Sequence, residues 1–268
     1  MDARRKANYS PTFLRHYTYD PPSPKSTGRR RVAPVLLWST LLIGLPLSIF
    51  ALSWLSTLPD TDLLARTNPT STALMDHRLA RAAEQGRTGK RQWIWTPLSR
   101  IAPELQRAVI AAEDASFFVH EGFDWEGILD AALYNLAAGE LKRGGSTITQ
   151  QLAKNLYLSS ERSLFRKARE ALITRSLEHR LTKTRILELY LNVAEWGRGV
   201  YGAEAASRHH FGKSASELTT DEAAWLAAIL PSPQRYDPIR KTTVLTRRHQ
   251  RIIRWMDKVA VTTHRRLQ

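Results

Sequence analysis

The hydrophobic and polar positions divide the chain into one long uncharged stretch near its start and a series of helical segments after it. No charged residue occurs from Val32 to Leu58, where most residues are apolar. About 20 apolar residues are enough to cross a bilayer as a helix, so we predict a single N-terminal transmembrane helix over residues 32–58. A cleaved signal peptide, with a weak small-residue site at 51–53, is the alternative, but the long basic leader favours an uncleaved anchor.

From residue 103 onward the apolar positions recur mainly at helical spacing, and prolines, glycines and capping residues delimit the segments. A helix is expected to begin at Pro103 and to stop at Gly122. A short strand is expected over 92–96, a loop at the glycines of 197–202, and further helices over 125–141, from residue 146 or 147, and over 161–181, 183–195, 220–230 and 246–265. The pattern is that of a mostly α domain without βαβ alternation.

The segments that flank this domain differ from it in composition. Residues 1–31 combine many Lys and Arg with a proline-rich stretch and only two acidic residues, so they are predicted to be a disordered basic tail. The positive-inside rule places this tail in the cytoplasm and everything after residue 58 outside. Residues 59–75, rich in Thr, Ser, Asp and Pro, are predicted to be a linker, residues 76–240 the main domain, and residues 241–268 a basic C-terminal helix.

Charge narrows the class of partner. Lys and Arg total 40 against 25 Asp and Glu, a formal net charge of +15, which favours an anionic partner. Nucleic acid, anionic lipid and a phosphorylated substrate all fit, but nucleic acid conflicts with the predicted side of the membrane. The chain has no cysteine, which excludes disulfides, thiolate metal sites and cysteine nucleophiles. No HExxH or paired-histidine pattern indicates a metal site.

Glu113 is the first candidate for chemistry. It follows the apolar run 108–112 and precedes Asp114. A glutamate held against apolar neighbours has a raised pKa, which makes it a candidate general base or acid. For an isolated Glu-Asp pair, the simpler interpretation is a helix end that faces water. His120, six residues after Asp114, is interpreted as structural.

The segment 144–155 is the second candidate. A Gly-Gly turn that leads into a helix N-terminus exposes backbone N–H groups, which suit phosphate oxygens. Thr147 and Gln150 have the spacing of a capping box, and Lys154 shares a helix face with Gln150. An ordinary capped helix would explain the glycines and Ser146, but not two glutamines and a lysine within a few turns.

A basic run over 162–171 is the third candidate. Arg166 and Lys167 are four and three residues before Glu170, so all three can share a helix face. A solvated face with helix ion pairs is the alternative, and for this run alone it is the better one.

Taken together, these segments resemble the bacterial peptidoglycan glycosyltransferase family, and specifically its monofunctional, membrane-anchored members. The resemblance covers about residues 70–240. In chain order it rests on Glu113-Asp114-x-x-Phe117-x-x-His120-x-Gly122, Gly144-Gly145-Ser146-Thr147-Ile148-Thr149-Gln150-Gln151, Arg166-Lys167-x-x-Glu170, Ile186-Leu187-Glu188-Leu189-Tyr190-Leu191-Asn192, Trp196-Gly197-x-Gly199-x-Tyr201-Gly202 and Pro231-x-Pro233-x-x-Tyr236-x-Pro238.

The resemblance implies a lysozyme-like, two-lobed domain that polymerises lipid II, a polyprenyl-diphosphate-linked disaccharide pentapeptide, into β-1,4 glycan with inversion. Glu113 matches the catalytic base, and Glu170 matches a second glutamate that positions groups or stabilises charge. Preorganised cations stabilise a departing diphosphate. The predicted substrate-binding residues are Asp114, Ser146, Thr147, Gln150, Gln151, Lys154, Arg162, Arg166, Lys167 and Arg169.

Other expectations follow from the same resemblance. No cofactor is obligatory, although a divalent cation such as Mg²⁺ can assist the diphosphate. The expected partners are lipid II, the growing glycan, membrane lipids and other cell-wall synthesis or division proteins. The catalytic domain is expected on the periplasmic side of the bacterial inner membrane.

Two rival functions and one structural alternative stay open. The rivals are a lytic enzyme that cuts glycan and a non-catalytic cell-wall scaffold. The segment 125–141 is either a core helix or a membrane-contacting cover of the substrate groove. Neither Ser-x-x-Lys nor Lys-Thr-Gly occurs and about thirty residues follow the last block, so no transpeptidase activity is expected.

Overall fold

The computed structural model describes residues 40–139, 144–159, 161 and 163–259, and it separates into two units that meet between Ser56 and Thr57. In the first unit a π-helical turn, Thr40–Gly44, continues into helix α1, Leu45–Ser56. Leu47, Ile49 and Leu52 of α1 are more than half exposed, at 63%, 58% and 67%. The predicted basic tail, 1–31, and the first part of the predicted membrane segment lie outside the described residues.

Within the described part of the chain, no helix combines the length and the apolar character needed to span a membrane.

The second unit is built mainly from helices, which confirms the prediction of a mostly α fold. Its helices are α2 (Ala73–Glu84), α3 (Pro103–Glu113), α4 (Trp125–Ala138), α5 (Ile148–Tyr157), α6 (Leu164–Arg180), α7 (Lys183–Val193), α8 (Ala203–Phe211), α9 (Thr220–Ile229) and α10 (Thr243–Met256). Short 3₁₀ turns lie at Asp62–Ala65, Leu98–Arg100 and Ala215–Glu217. Helix α3 packs on α9 and α10, and α5 packs on α6 and α7, so one core joins the helices.

A small sheet lies where the sequence pattern predicts a longer strand over 92–96 and a loop over 197–202. Strand β1, Gln92–Trp93, is parallel to β3, Val200–Tyr201, which is antiparallel to β2, Glu195–Gly197. The expected strand 92–96 is therefore only two residues long, and the expected glycine loop is a tight hairpin. Gly199 has φ +74°, and a Cβ at this position would meet the Lys90 carbonyl oxygen at 2.2 Å, so the turn requires glycine.

Several helix boundaries differ from the predicted ones. Helix α3 ends at Glu113 and not at Gly122, because the chain turns at Asp114. Helix α4 ends at Ala138, and the Gly139 that follows is in the left-handed conformation (φ +64°); the expected end at 141 lies outside the described residues. Helices α2 and α8 are additional to the prediction. The capping box at Thr147 is confirmed.

The segment 59–75 is fastened to the domain, in contrast to the linker expected there. Leu64 is buried in the core and Met75 is fully buried. The Arg185 guanidinium donates to the carbonyl oxygens of Leu64 and Thr67 and to Asn68 Oδ1, each at 2.8 Å. These bonds explain why a polar segment follows a fixed path.

Candidate active site

Glu113 is the last residue of α3, and the packing of that helix fixes its position. Leu105, Val109 and Ile110 are fully buried on the core side of α3. The Gln151 side chain donates from Nε2 to Glu113 Oε2 at 2.7 Å, and the Tyr190 hydroxyl donates to Gln151 Oε1 at 3.0 Å. Because Tyr190 occupies the amide oxygen, the amide nitrogen is turned toward the carboxylate.

Burial sets the proton affinity of this carboxyl. It raises the pKa of Glu113 above the ordinary value, while the Gln151 hydrogen bond and the positive charges of Lys154 and Arg248 act in the opposite direction. Burial also holds the pKa of Tyr190 well above its usual range, so this hydroxyl stays protonated as a donor. A carboxyl with a raised pKa that is oriented by one amide can act as a general base.

Asp114 and His120 tie the end of α3 to the start of α5. The buried Asp114 carboxylate accepts from His120 Nε2 and from the Ile148 backbone N–H, both at 2.9 Å. The Gly122 N–H donates to His120 Nδ1 at 3.0 Å, which places the ring proton on Nε2. Asp114 therefore connects the two helices, and the substrate contact predicted for it stays a prediction. His120 is structural, as interpreted.

Thr147 and Gln150 are hydrogen-bonded within the fold, and the substrate contacts predicted for them stay predictions. The Thr147 hydroxyl donates to the Gly122 carbonyl at 2.7 Å and accepts from the Gln150 N–H at 3.2 Å, and Gln150 Oε1 accepts from the Thr147 N–H at 3.0 Å. Both side chains are buried. Ser146, one residue earlier, is exposed at the same helix start.

A cavity of about 390 Å³ opens beside this network; we call it the Lys154 cavity. Gln151, Lys154 and Tyr190 line one part of it, and Arg78, Arg166 and Glu195 line another. Desolvation by the surrounding protein lowers the pKa of the Lys154 ammonium, whereas the negative charge of Glu170 raises it. The cavity thus brings two predicted cations next to the residue that orients Glu113.

The Glu170 carboxylate supplies the negative charge that pairs with Arg166 and Lys167. Its buried carboxylate accepts from Arg166 Nη1 at 2.7 Å and from the Lys167 ammonium. With both oxygens bonded to cations, Glu170 positions Arg166 and Lys167.

The remaining cations of the basic run have different positions. Arg169 donates to Thr57 Oγ1 at 2.7 Å and to the Thr57 carbonyl at 2.9 Å, so its guanidinium holds the start of the second unit. The substrate contact predicted for Arg169 stays a prediction. Arg162 lies outside the described residues.

A second cavity, of about 750 Å³, lies between α4 and the start of α5; we call it the α4 cavity. Apolar side chains of α4, including Ile128, Ala131 and Leu136, form one wall, and Ser146 and Lys167 lie at the other. It can take a ligand with an apolar part and an anionic part.

Comparison with known proteins identifies the family of the chain. The model of the transglycosylase family matches residues 79–257, a range that includes Glu113, Lys154 and Glu170. The chain belongs to the transglycosylase family.

Curated relatives cover most of the chain. It is 52% identical over 194 residues to the biosynthetic peptidoglycan transglycosylase of Laribacter hongkongensis, which covers 72% of this chain and 85% of that protein. The protein of the same name from Thiobacillus denitrificans is 51% identical over 194 residues, 72% of this chain and 84% of its own length. The protein of that name from Bordetella pertussis is 43% identical over 245 residues, 89% of this chain and 99% of its own length.

Two residues of this candidate site were not among the predicted ones. Tyr190 orients Gln151; its only signal in the sequence was its place in the block 186–192. Arg248 on α10 acts on the Glu113 pKa through its charge, and its buried Nη1 has no hydrogen-bond partner among the described residues. Nothing in the local sequence distinguishes Arg248 from the other cations of this basic helix.

In the described ranges, no group of three or more His, Asp or Glu side chains could hold a metal ion.

Proposed function

We propose that this chain polymerises lipid II into β-1,4 glycan strands, with Glu113 as the general base and undecaprenyl diphosphate as the leaving group. The chain is a glycosyltransferase of peptidoglycan, as its family and the names of its relatives indicate. The observation that carries the proposal is the Glu113 carboxyl, whose pKa burial raises and whose orientation Gln151 sets, beside a cavity lined by cations.

The proposed step conserves atoms and charge. The 4-hydroxyl of the acceptor sugar gives its proton to Glu113, and its oxygen forms a bond to C1 of the growing chain. The bond between C1 and the diphosphate oxygen breaks with inversion, and the bonding electrons leave with the diphosphate. A base with a raised pKa is suited to this proton transfer near neutral pH.

The cations are proposed to stabilise the diphosphate leaving group. Negative charge grows on the diphosphate as its bond to C1 breaks, and preorganised positive groups stabilise that charge. Lys154 and Arg166 line the Lys154 cavity, Lys167 lines the α4 cavity, and Glu170 pairs with Arg166 and Lys167. We assign the diphosphate to these three cations, together with the exposed Ser146. No resident cofactor is needed for this step, and a divalent cation can add to the same stabilisation.

Helix α4 suits the lipid part of the substrate. Trp125, Leu129 and Leu136 are exposed by 71%, 59% and 81%. The α4 cavity continues from this apolar surface to Lys167 and Ser146. We assign the polyprenyl chain to α4 and the membrane surface next to it, which is the membrane-contacting alternative for 125–141.

The location of the enzyme belongs to the same proposal. An uncharged stretch at 32–58 after a basic tail supports a single-pass anchor with the catalytic domain in the periplasm. The exposed apolar residues of α1 are consistent with such an anchor. We also propose the two-lobed, lysozyme-like arrangement and partner proteins from cell-wall synthesis on the ground of the family resemblance.

The lytic rival fits the site less well. Cleavage of a glycosidic bond needs a carboxylic acid that protonates a sugar leaving group, with a second carboxylate as partner. The second glutamate, Glu170, is buried with both carboxylate oxygens bonded to Arg166 and Lys167, so neither oxygen is free to face a sugar. A diphosphate needs no such acid, since it leaves as an anion.

The test is polymer synthesis from labelled lipid II by full-length wild type and Glu113→Gln. The variant keeps the size of the side chain and a polar partner for Gln151, and it removes a charge that burial disfavours, so it should fold. We expect a loss of at least about a hundredfold in rate, the usual contribution of a general base. Glu121→Gln, at an exposed glutamate nearby, is the matched control and should retain full activity. Equal amounts of polymer from Glu113→Gln and wild type would refute the role of Glu113 as the general base.

A further inference from the structure

A third cavity, of about 530 Å³, lies on the other side of Arg78 and Glu195 from the Lys154 cavity; we call it the Arg198 cleft. Its walls come from α2, from the loop 85–90 and from the β2–β3 hairpin, with Arg81, Arg87 and Arg198 among the lining residues. None of these residues has a part in the proposed reaction.

Positive charge dominates this cleft. Five cations line it, Arg78, Arg81, Arg87, Lys90 and Arg198, and Glu195 is the one acidic lining residue in the described part of the chain. Arg78 neutralises Glu195 with an Nη2–Oε2 distance of 2.9 Å, and Gln234 Nε2 donates to the other carboxylate oxygen at 2.8 Å.

The other four cations have no such counter-charge. Among the described residues, Arg81, Arg87, Lys90 and Arg198 make no ion pair, in contrast to Arg78 and Arg166, which pair with Glu195 and Glu170. Like charges that converge on one cavity repel each other, so an anion that enters the cavity relieves this repulsion.

The walls of the cleft are held by backbone contacts. The Gln92 N–H donates to the Gly199 carbonyl at 2.8 Å, and the Lys90 carbonyl passes so close to Gly199 that no side chain fits there. The loop that carries Arg87 and Lys90 is thereby fastened to the hairpin that carries Arg198. The cleft is therefore already formed, and its cations do not have to move together when a ligand binds.

The cleft continues from the catalytic cavity. Arg78 and Glu195 line both, so their ion pair forms a shared wall. A substrate whose sugar occupies the Lys154 cavity can therefore extend a further group across this wall.

We propose that the Arg198 cleft binds the carboxylates of the peptide that the substrate sugar carries. This inference rests on the proposed function, which supplies a substrate with a peptide. Cations contributed by three separate chain segments suit several dispersed carboxylates better than one compact diphosphate, which the Lys154 cavity accommodates. Arginine, which provides three of the four uncompensated cations, pairs with carboxylates through two parallel hydrogen bonds.

The experiment compares three substrates with full-length enzyme: lipid II, lipid II with its peptide carboxylates amidated, and the lipid-linked disaccharide without peptide. The test variant is Arg87→Gln/Arg198→Gln. The control, Arg100→Gln/Lys258→Gln, removes two exposed cations that do not line the cleft. None of the four residues belongs to the proposed catalytic machinery.

We expect the test variant to raise KM for lipid II by about threefold or more with kcat unchanged, the size of effect that two exposed ion pairs give. KM for the amidated and peptide-free substrates should not change, and the effect on lipid II should shrink in high salt. The control variant should match wild type on all three.

Three results separate the possible failures. An unchanged KM for lipid II in the test variant would overturn the peptide site. An equal rise in KM for the peptide-free substrate would show that the cleft binds the diphosphate and would also overturn it. Absence of polymer from wild type with every substrate would refute the proposed function itself.

Discussion

At the scale of single residues, the site depends on a chain of three side chains. Tyr190 fixes the Gln151 amide, and the amide turns its nitrogen to Glu113. Sequence analysis could find Glu113 because its apolar context is local. It could not find Tyr190 as a partner, because the contact with Gln151 spans 39 positions and exists only after α5 and α7 have packed.

The occupied polar residues show the limit of motif reasoning. Asp114, Thr147 and Gln150 stand in the blocks that carry the resemblance, and each is bonded within the fold. A block marks residues that the site needs, but it does not say whether a residue touches substrate or holds its neighbours. Arg169 illustrates the same point, since its partner Thr57 is 112 positions away.

A pH profile tests the electrostatics at this scale. The base must be ionised, so the rate should fall as the pH falls through the Glu113 pKa, and burial places this limb above the ordinary glutamate value of 4.5. Lys154 lowers that pKa through its charge. In Lys154→Ala the acid limb should therefore move to higher pH, and KM for the donor should rise because a diphosphate contact is lost.

The control for this profile is Lys213→Ala, whose ammonium pairs with Glu222. Its acid limb should coincide with that of wild type. If the limb of Lys154→Ala stayed in place or moved to lower pH, the charge coupling between Lys154 and Glu113 would be refuted.

At the scale of elements, the start of α5 organises the site. The capping box of Thr147 and the Asp114 carboxylate fix the first turn, and Gln151 and Lys154 follow on the next turns. The sequence predicted this helix start because capping chemistry is local. It did not predict α2 and α8. Helix α8 buries mainly small residues, Ala203, Ala205 and Ala206, which leave little hydrophobic periodicity.

A cap variant tests this element. Thr147→Ala removes the cap of α5 and also leaves the buried Gly122 carbonyl without its donor. Loss of a cap costs about 1 kcal/mol, and a buried acceptor without its partner costs about 1–3 kcal/mol more. We therefore expect about 2–4 kcal/mol less stability in urea unfolding.

Ser163→Ala is the comparison for this variant, because Ser163 caps α6 through one exposed bond to the Arg166 N–H. It should cost about 1 kcal/mol. An equal cost for both variants would show that the bond from Thr147 to Gly122 contributes nothing.

At the scale of the whole molecule, the fold brings the Glu113 carboxyl, the cations paired with Glu170 and the cavities beside them together from distant parts of the chain. The mostly helical class could be predicted because helical periodicity and caps recur along the sequence. The small sheet could not, since its strands are two or three residues long and β1 pairs with β3 across more than a hundred positions. The Arg198 cleft has the same origin: its arginines are unremarkable in sequence until β1 pairs with β3.

The central claim is that Glu113 drives glycan polymerisation with release of a lipid diphosphate. The most direct measurement counts both products from labelled lipid II in one reaction, the glycosidic bonds formed and the undecaprenyl diphosphate released. Wild type should give one diphosphate for each new bond, and Glu113→Gln should give neither. Glycan bonds formed at an undiminished rate by Glu113→Gln, or soluble fragments cut from glycan in place of polymer, would contradict the account.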